Sequence, residues 1–302
     1  MIIENAAAIP ATQYNAFVPK MRLDLLLVQR GFAESRAKAQ AILMAGKVRV
    51  DGQVESKAGT AVEVTSSLEV ERGPQFVSRG GEKLNAALQA FEIAVGGRTC
   101  ADVGASTGGF TDCLLQRGAA KVYAVDVGKG TLHWKLRNDP RVVVMEETNA
   151  RFVESLPEKV ALIAIDASFI SLRLLLPVCR EWLTPLPSGF VETESAEGQG
   201  GLRHERRADV IALVKPQFEA GRKDVSRGDG VIRDAGIHKQ VLTDVLHFAQ
   251  AIGFAVCGLI RSPLLGPKGN AEFLVWLELP ARSADIEGLI ANALASAVKA
   301  AK

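Results

Sequence analysis

The 302-residue chain is predicted to be an α/β protein, with a seven-stranded, doubly wound and mostly parallel sheet preceded by a small α+β domain. Three observations predict this. Strand and helix patterns alternate through the larger, later part of the chain. One apolar strand runs into a glycine-rich turn that opens a helix, Ala101-Asp-Val-Gly-Ala-Ser-Thr-Gly-Gly-Phe-Thr-Asp112. The part before about residue 70 instead holds two short helical patterns and a hairpin signal.

Composition sets the limits. With 48% hydrophobic and 23% charged residues, the chain can bury a full core and is not a disordered polypeptide. Its most apolar stretch, residues 160–178, is interrupted by Asp166 and Arg173, so no membrane span is expected and the protein reads as soluble. Residues 1–20 contain Glu4 and lack a basic start followed by an apolar run; they read as a flexible tail, and a cytoplasmic location follows. Cys100, Cys113, Cys179 and Cys257 form no Cys-x-x-Cys pair, and His133, His204, His238 and His247 complete no ligand set, so neither metal nor disulfides are expected. A net charge of +2 leaves the question of partners to the placement of charge.

The first domain is expected over residues 21–67. Leu23, Leu26, Leu27 and Val28 recur at helical spacing before Gly31. A second helix over 34–45 directs Ala37, Ala41, Ile42 and Met44 to a core, with Arg36 and Lys38 on a neighbouring face. Val48, Val50 and Val54 flank Asp51-Gly52, the signature of a tight hairpin over 47–55. Seven Lys and Arg against four acids over 21–57 is too small an excess to identify a partner. Residues 68–82 are read as a linker and 83–302 as the second domain. Strands are expected near 98–104, 121–127, 142–146, 160–167, 209–214, 254–260 and 272–279. Residues 184–208, long and without periodicity, read as an insertion.

In such a sheet the ligand crevice lies at the carboxyl ends of the strands. The turn after the first strand suits either a dinucleotide or S-adenosylmethionine. Two details favour the second: Ser106 stands where a dinucleotide fingerprint has its second glycine, and Asp102 would repel a pyrophosphate but could hold a cationic amino-acid end. Asp126, at the end of the next strand, can accept from ribose hydroxyls. A turn built only for strand-helix packing would look similar. Lys83, Asp166, Lys215 and Glu272 are further candidates, since several charges gather at strand ends around one loop.

Two resemblances then apply. Arg22-Leu-Asp-x-Leu-Leu, Ser35-Arg36-x-Lys38-Ala39 and Gly46-Lys47-Val48-x-Val50-Asp51-Gly52 resemble the RNA-binding module shared by a small-subunit ribosomal protein and many pseudouridine synthases. It implies that Arg36, Lys38, Lys47 and Arg49, together with Arg22, bind RNA. From Arg22 to Glu278 the chain resembles the TlyA (hemolysin A) ribosomal RNA 2′-O-methyltransferases, relatives of the FtsJ enzymes. The carriers are Val77-Ser-Arg-Gly-Gly-Glu-Lys83-Leu, the 102–112 loop, Asp126-Val-Gly, Asp166-Ala-Ser-Phe-Ile-Ser-Leu172 and Val214-Lys-Pro-Gln-Phe-Glu219. The 184–208 stretch looks longer than the family's.

This resemblance implies a Rossmann-like methyltransferase sheet, ribosomal RNA or ribosomal subunits as partner, and a catalytic set of Lys83, Asp166, Lys215 and Glu272. The cofactor set is Asp102, Gly104, Ala105, Ser106, Thr107, Gly108, Gly109, Phe110, Asp126, Val127 and Asn149. A ribose hydroxyl needs both a base and in-line positioning to take a methyl group. Lys215 is the candidate base, oriented by Asp166; Lys83 would stabilise the alkoxide, and Glu272 would orient Lys83 or the ribose. Base-amine acceptors are disfavoured because Asp166-Ala-Ser-Phe replaces an Asn-Pro-Pro-Tyr-like strand end. The competing class is a ribosome-assembly factor that keeps the fold without the reaction.

Overall fold

The structure is a computed structural model that describes residues 18–71, 73–184, 208–220, 230–266, 268–279 and 284–299. It divides into a unit ending at Gly73 and a unit beginning at Pro74. Most of the stretch read as an insertion, 185–207, and residues 1–17 of the expected tail lie outside the described residues.

In the first unit, β1 (Lys20–Arg22) precedes α1 (Leu23–Gln29) and pairs antiparallel with β4 (Ala61–Glu63), Lys20 opposite Glu63. The tail reading therefore fails at its last residue, which is strand. The 47–55 hairpin forms as β2 (Val48–Val50) and β3 (Gln53–Val54), with positive φ at both Asp51 (49°) and Gly52 (82°), the type I′ turn that a two-residue loop requires. The linker reading of 68–82 is corrected at both ends. Leu68 packs into the first unit's core, so β5 (Leu68–Val70) pairs with β2, and a helix of the second unit already begins at Gly80.

The second helix, α2 (Arg36–Met44), also differs from expectation. Its buried residues are Ala39 and Leu43, while Ala37, Ala41 and Met44 are exposed. Alanine carries too little apolar surface to fix a helix face, and Leu43 packing with Leu23, Leu26 and Leu27 sets the rotation instead.

The second unit holds a seven-stranded sheet of β6 (Thr99–Val103), β7 (Lys121–Val125), β8 (Val142–Met145), β9 (Leu162–Ile165), β10 (Ala208–Val214), β11 (Ala255–Arg261) and β12 (Phe273–Leu279). Their spatial order is β11-β12-β10-β9-β6-β7-β8. All neighbours from β10 to β8 are parallel, and β12 runs antiparallel between β10 and β11.

Both faces of this sheet are buried, which explains the near-continuous apolar runs of its central strands. On β9, Ile163 and Ile165 face one core and Leu162 and Ala164 the other; Val210 and Val214 separate from Ile211 and Leu213 on β10 in the same way. One face is covered by α3 (Gly80–Ala90), α4 (Gly109–Gln116) and α5 (Trp134–Arg137). The other carries α6 (Leu172–Trp182), α8 (Ala235–Ala251) and α9 (Ile286–Lys299), while the short α7 (Pro216–Glu219) follows β10. The strand order reverses between β6 and β9, so the crevice of an open α/β sheet falls at their carboxyl ends. Because β12 is reversed, its beginning, not its end, reaches that edge.

Candidate active site

Two adjoining clefts, of about 300 and 600 Å³, open at that edge and share Gly104, Ser106, Asp166 and Ser168 in their walls. Both sizes fall in the range of small-ligand pockets. The smaller contains Lys83, Lys215 and Glu272, and the larger contains Asp126, Val127 and Asn149. The sequence candidates are thus sorted by the fold into two groups with Asp166 between them.

Local backbone rules build the shared wall. Gly104 has φ 85°, and a Cβ there would stand 2.9 Å from Ala167 Cα and from Asp166 O, so only glycine lets β6 and β9 end this close together. Gly109 is held to glycine by close approach as well: a Cβ would lie 2.3 Å from Ser78 Oγ and 2.8 Å from Gly81 N, where α3 and α4 begin side by side. Ser106 takes φ 49°, and its amide donates to Asp126 Oδ2 at 2.8 Å; Gly128 N donates to Asp126 Oδ1 at 2.6 Å. Each of those oxygens keeps a second lone pair for an incoming hydroxyl.

Two cofactor assignments are corrected by position. Asp102 is fully buried beneath the loop, where its Oδ2 accepts from Thr111 N at 2.8 Å and Thr111 Oγ1 at 2.6 Å, and it borders neither cleft. Burial pushes its carboxyl up to about 7, with the nearby Asp166 and Asp126 acting in the same direction, so it is no ready counter-charge for a cationic end. Gly108 also stays out of both clefts. A Cβ there would meet Leu136 Cδ1 at 2.2 Å, so its role is to admit α5 beneath the loop. Ala105, Thr107 and Phe110 do line the smaller cleft.

The four charged candidates form two ion pairs. Lys83 Nζ lies 2.5 Å from Glu272 Oε2, with both side chains nearly sealed from solvent. Lys83 stands near the start of α3. Lys215 Nζ lies 2.7 Å from Asp166 Oδ1, and it also donates to Ser168 Oγ at 2.8 Å and to Asp166 O at 3.3 Å. A latch holds this second pair's two segments together. Glu219, four residues after Lys215, accepts from Ser171 Oγ at 2.6 Å and from Leu172 N at 2.8 Å, at the start of α6. Burial raises the Glu219 carboxyl, and those two bonds oppose the rise.

Sequence reasoning missed several wall residues. Phe169 is 90% exposed, has φ 64°, lines the larger cleft and sits with its ring centroid 4.9 Å from that of Phe218. A bulky side chain in the left-handed region carries strain of about 1–3 kcal/mol, a cost that collects at functional sites. Arg79, exposed at the rim, and Ser168 and Leu265 in the wall were also passed over. The only signal for Ser168 and Phe169 was their place directly after Asp166.

In the first unit, the five basic candidates do not share one state. Arg22 gives Nε and one terminal nitrogen to the buried Asp24, at 3.1 and 3.0 Å, which ties it into the fold. Arg36 gives only Nε to Asp24, at 2.8 Å, and its terminal nitrogens have no hydrogen-bond partner among the described residues. Lys38 pairs with Glu34, Arg49 donates to Gly52 O at 3.2 Å, and Lys47 is half-buried.

The family model for FtsJ-like methyltransferases matches residues 76–279, the span that holds the sheet and the glycine-walled crevice. The chain belongs to that family. An S4 domain model matches residues 21–67. The chain is 46% identical to the 16S/23S rRNA (cytidine-2'-O)-methyltransferase TlyA of Mycobacterium tuberculosis, over 85% of this chain and 90% of that one. It is 40% identical to hemolysin A of Brachyspira hyodysenteriae, over 84% and 98%. A solved hemolysin-type structure from Streptococcus thermophilus is similar with a TM-score of 0.64 at 39% identity, covering 94% of this chain and 98% of that one. Among the described residues, no helix is long and apolar enough to cross a membrane.

Proposed function

We propose that this protein transfers the methyl group of S-adenosylmethionine to a ribose 2′-hydroxyl of ribosomal RNA in the cytoplasm. The observation that carries the reading is the pairing of two clefts through Asp166, one with a hydroxyl-accepting acid and one with two lysines. Within the walls, Lys83 offsets Glu272 and Lys215 offsets Asp166, while Asp126 and Arg151 border the larger cleft and Arg79 the smaller. When bound, S-adenosylmethionine supplies an electrophilic methyl group.

The protein's own groups do the rest. Asp126 and the amide-bearing loop at Gly104 and Ser106 hold the adenosine end, with Val127 and Asn149 beside it. Lys215 takes the acceptor's proton, and Asp166 holds the Lys215 amine in place. Lys83, fixed by Glu272, stabilises negative charge on the acceptor oxygen. Phe169 offers an exposed ring on which an unstacked base can lie, the usual way a protein reaches a nucleotide it modifies. Arg36, Lys38, Lys47 and Arg49 of the first unit hold RNA phosphates.

The test is incubation of labelled S-adenosylmethionine with separated ribosomal subunits from a strain lacking the protein, followed by mapping of positions that resist alkaline cleavage. Label at such positions is the expected result. Label on bases alone overturns the ribose assignment, and cofactor binding without any label favours the assembly-factor reading.

A further inference from the structure

Ser168 stands in both clefts at once and touches the amine assigned as base. A lysine nitrogen has three positions beyond its own carbon. Here they are directed at Asp166 Oδ1, Asp166 O and Ser168 Oγ, at 2.7, 3.3 and 2.8 Å. Both Asp166 atoms are acceptors only, since a carbonyl oxygen and an ionised carboxylate have no hydrogen to give. When Lys215 is neutral, its two N–H bonds serve Asp166, and its lone pair is left pointing at Ser168. The hydroxyl is the one partner of the three that can reverse direction. An acceptor hydroxyl that approaches along that lone pair therefore meets Ser168 first.

We infer that Ser168 relays the acceptor's proton to Lys215. This rests on the reading of Lys215 as general base and extends it. The 2′-hydroxyl donates to Ser168 Oγ while the Ser168 hydroxyl donates to the Lys215 lone pair. As the acceptor O–C bond forms and the donor's S–C bond breaks, the 2′-proton passes to Ser168 Oγ and the serine proton passes to Nζ. The sulfonium becomes a thioether, Lys215 becomes an ammonium, and serine ends as it began. The positive charge has moved from sulfur to nitrogen, and Asp166 is placed to receive it there. Ser168 is exposed, so its removal leaves no buried void.

Three variants test this: Ser168→Ala, Ser168→Thr and Lys215→Arg. Each is assayed for single-turnover methylation of the mapped subunit. Binding is then measured, with S-adenosylhomocysteine present, to an RNA fragment carrying the mapped acceptor and to the same fragment with a 2′-deoxy acceptor. Ser168→Ala is expected to slow transfer by about 10²-fold or more, and Ser168→Thr to stay within about 10-fold of wild type. Wild type should prefer the ribose acceptor over the deoxy one by about 2- to 10-fold, and Ser168→Ala should lose that preference. A near-normal rate in Ser168→Ala overturns the relay. So does a slow Ser168→Ala that keeps the preference, since serine would then act only on lysine's position. A near-normal rate in Lys215→Arg overturns the underlying base assignment, whatever Ser168→Ala does.

Discussion

Asp24 in the first unit and Asp102 in the second both lack solvent-accessible surface, but Asp24 lies just beneath two exposed arginines and Asp102 deep under the loop, and their carboxyls are driven in opposite directions. Asp24 receives guanidinium bonds from Arg22 and Arg36 and an amide bond from Gln40, and these hold it well below the usual carboxylate range. Asp102 receives only the amide and hydroxyl of Thr111, its Oδ1 meets no donor among the described residues, and burial lifts it to about 7. Depth of burial and partner together set the charge of an acid. The contrast extends to the basic residues of each unit. In the first unit a buried negative charge orders two surface arginines, Arg22 and Arg36. In the second unit the buried lysines Lys83 and Lys215 are each matched with a carboxylate around a cleft.

The largest test of this division is Lys215. Lys215→Ala should slow methyl transfer by about 10²–10⁴-fold, the range of a lost general base, with cofactor and RNA affinity preserved. Lys215→Arg should fail as well, because arginine keeps the charge but does not give up its proton near neutral pH. Single-turnover rates decide this, and a fast Lys215→Arg variant would reduce Lys215 to electrostatic support.

Next in size is the cofactor wall. Gly104→Val would force a side chain against Ala167 and Asp166, and Asp126→Ala would free the amides of Ser106 and Gly128. Both should weaken S-adenosylmethionine binding by about tenfold or more: Asp126→Ala through lost bonds to a charged group, each worth about 1.5–3 kcal/mol, and Gly104→Val by closing the backbone approach. Calorimetric titration measures it. RNA affinity should be untouched, and a loss of RNA binding in both folded variants would break the separation of roles.

Changes in the first unit should appear in salt dependence. Replacing Arg36, Lys38, Lys47 and Arg49 with alanine should reduce the log-log slope of RNA binding by about 0.7–0.9 for each phosphate that is no longer neutralised. Arg22→Ala should move the slope less, because its guanidinium is committed to Asp24. An equal effect from Arg22 and Arg36 would erase the distinction between the anchored arginine and the presented one.

The smallest effect sharpens the comparison of the two acids directly. Between about pH 4 and 7 the folded chain keeps the Asp102 proton that the unfolded chain, with a pKa of about 3.9, has already lost. Asp102 therefore lowers stability as pH rises through that window. Asp24 acts in the other direction: its stabilisation is present above pH about 4 and is lost on acidification. Trp134, Trp182 and Trp276 all lie in the second unit, so tryptophan fluorescence during denaturant unfolding reports on that unit. Asp102→Asn should flatten the difference between pH 5 and pH 8. An unchanged difference would mean that Asp102 is ionised in the fold.

Much of this was legible in one dimension. The hairpin at Asp51-Gly52, the glycine turn after β6 and the alternation of strands and helices all depend on neighbours within a few residues, where backbone sterics and apolar period act. Lys83, Asp166, Lys215 and Glu272 could be picked out because each stands beside a strand or helix end. What no local rule could supply was partnership. Lys83 finds Glu272 across 189 residues only because β12 is reversed in the sheet and starts at the crevice edge. Asp102 looked like a cofactor ligand because its place in the loop is visible in the sequence, whereas the direction of its side chain is decided by the packing of α4 over β6. Arg22 and Arg36 are alike as basic residues and differ only in how many nitrogens Asp24 takes. Sequence determines which groups are available and what turns they can make; burial and long-range packing decide which carry charge, which are spent on structure, and which are left to act.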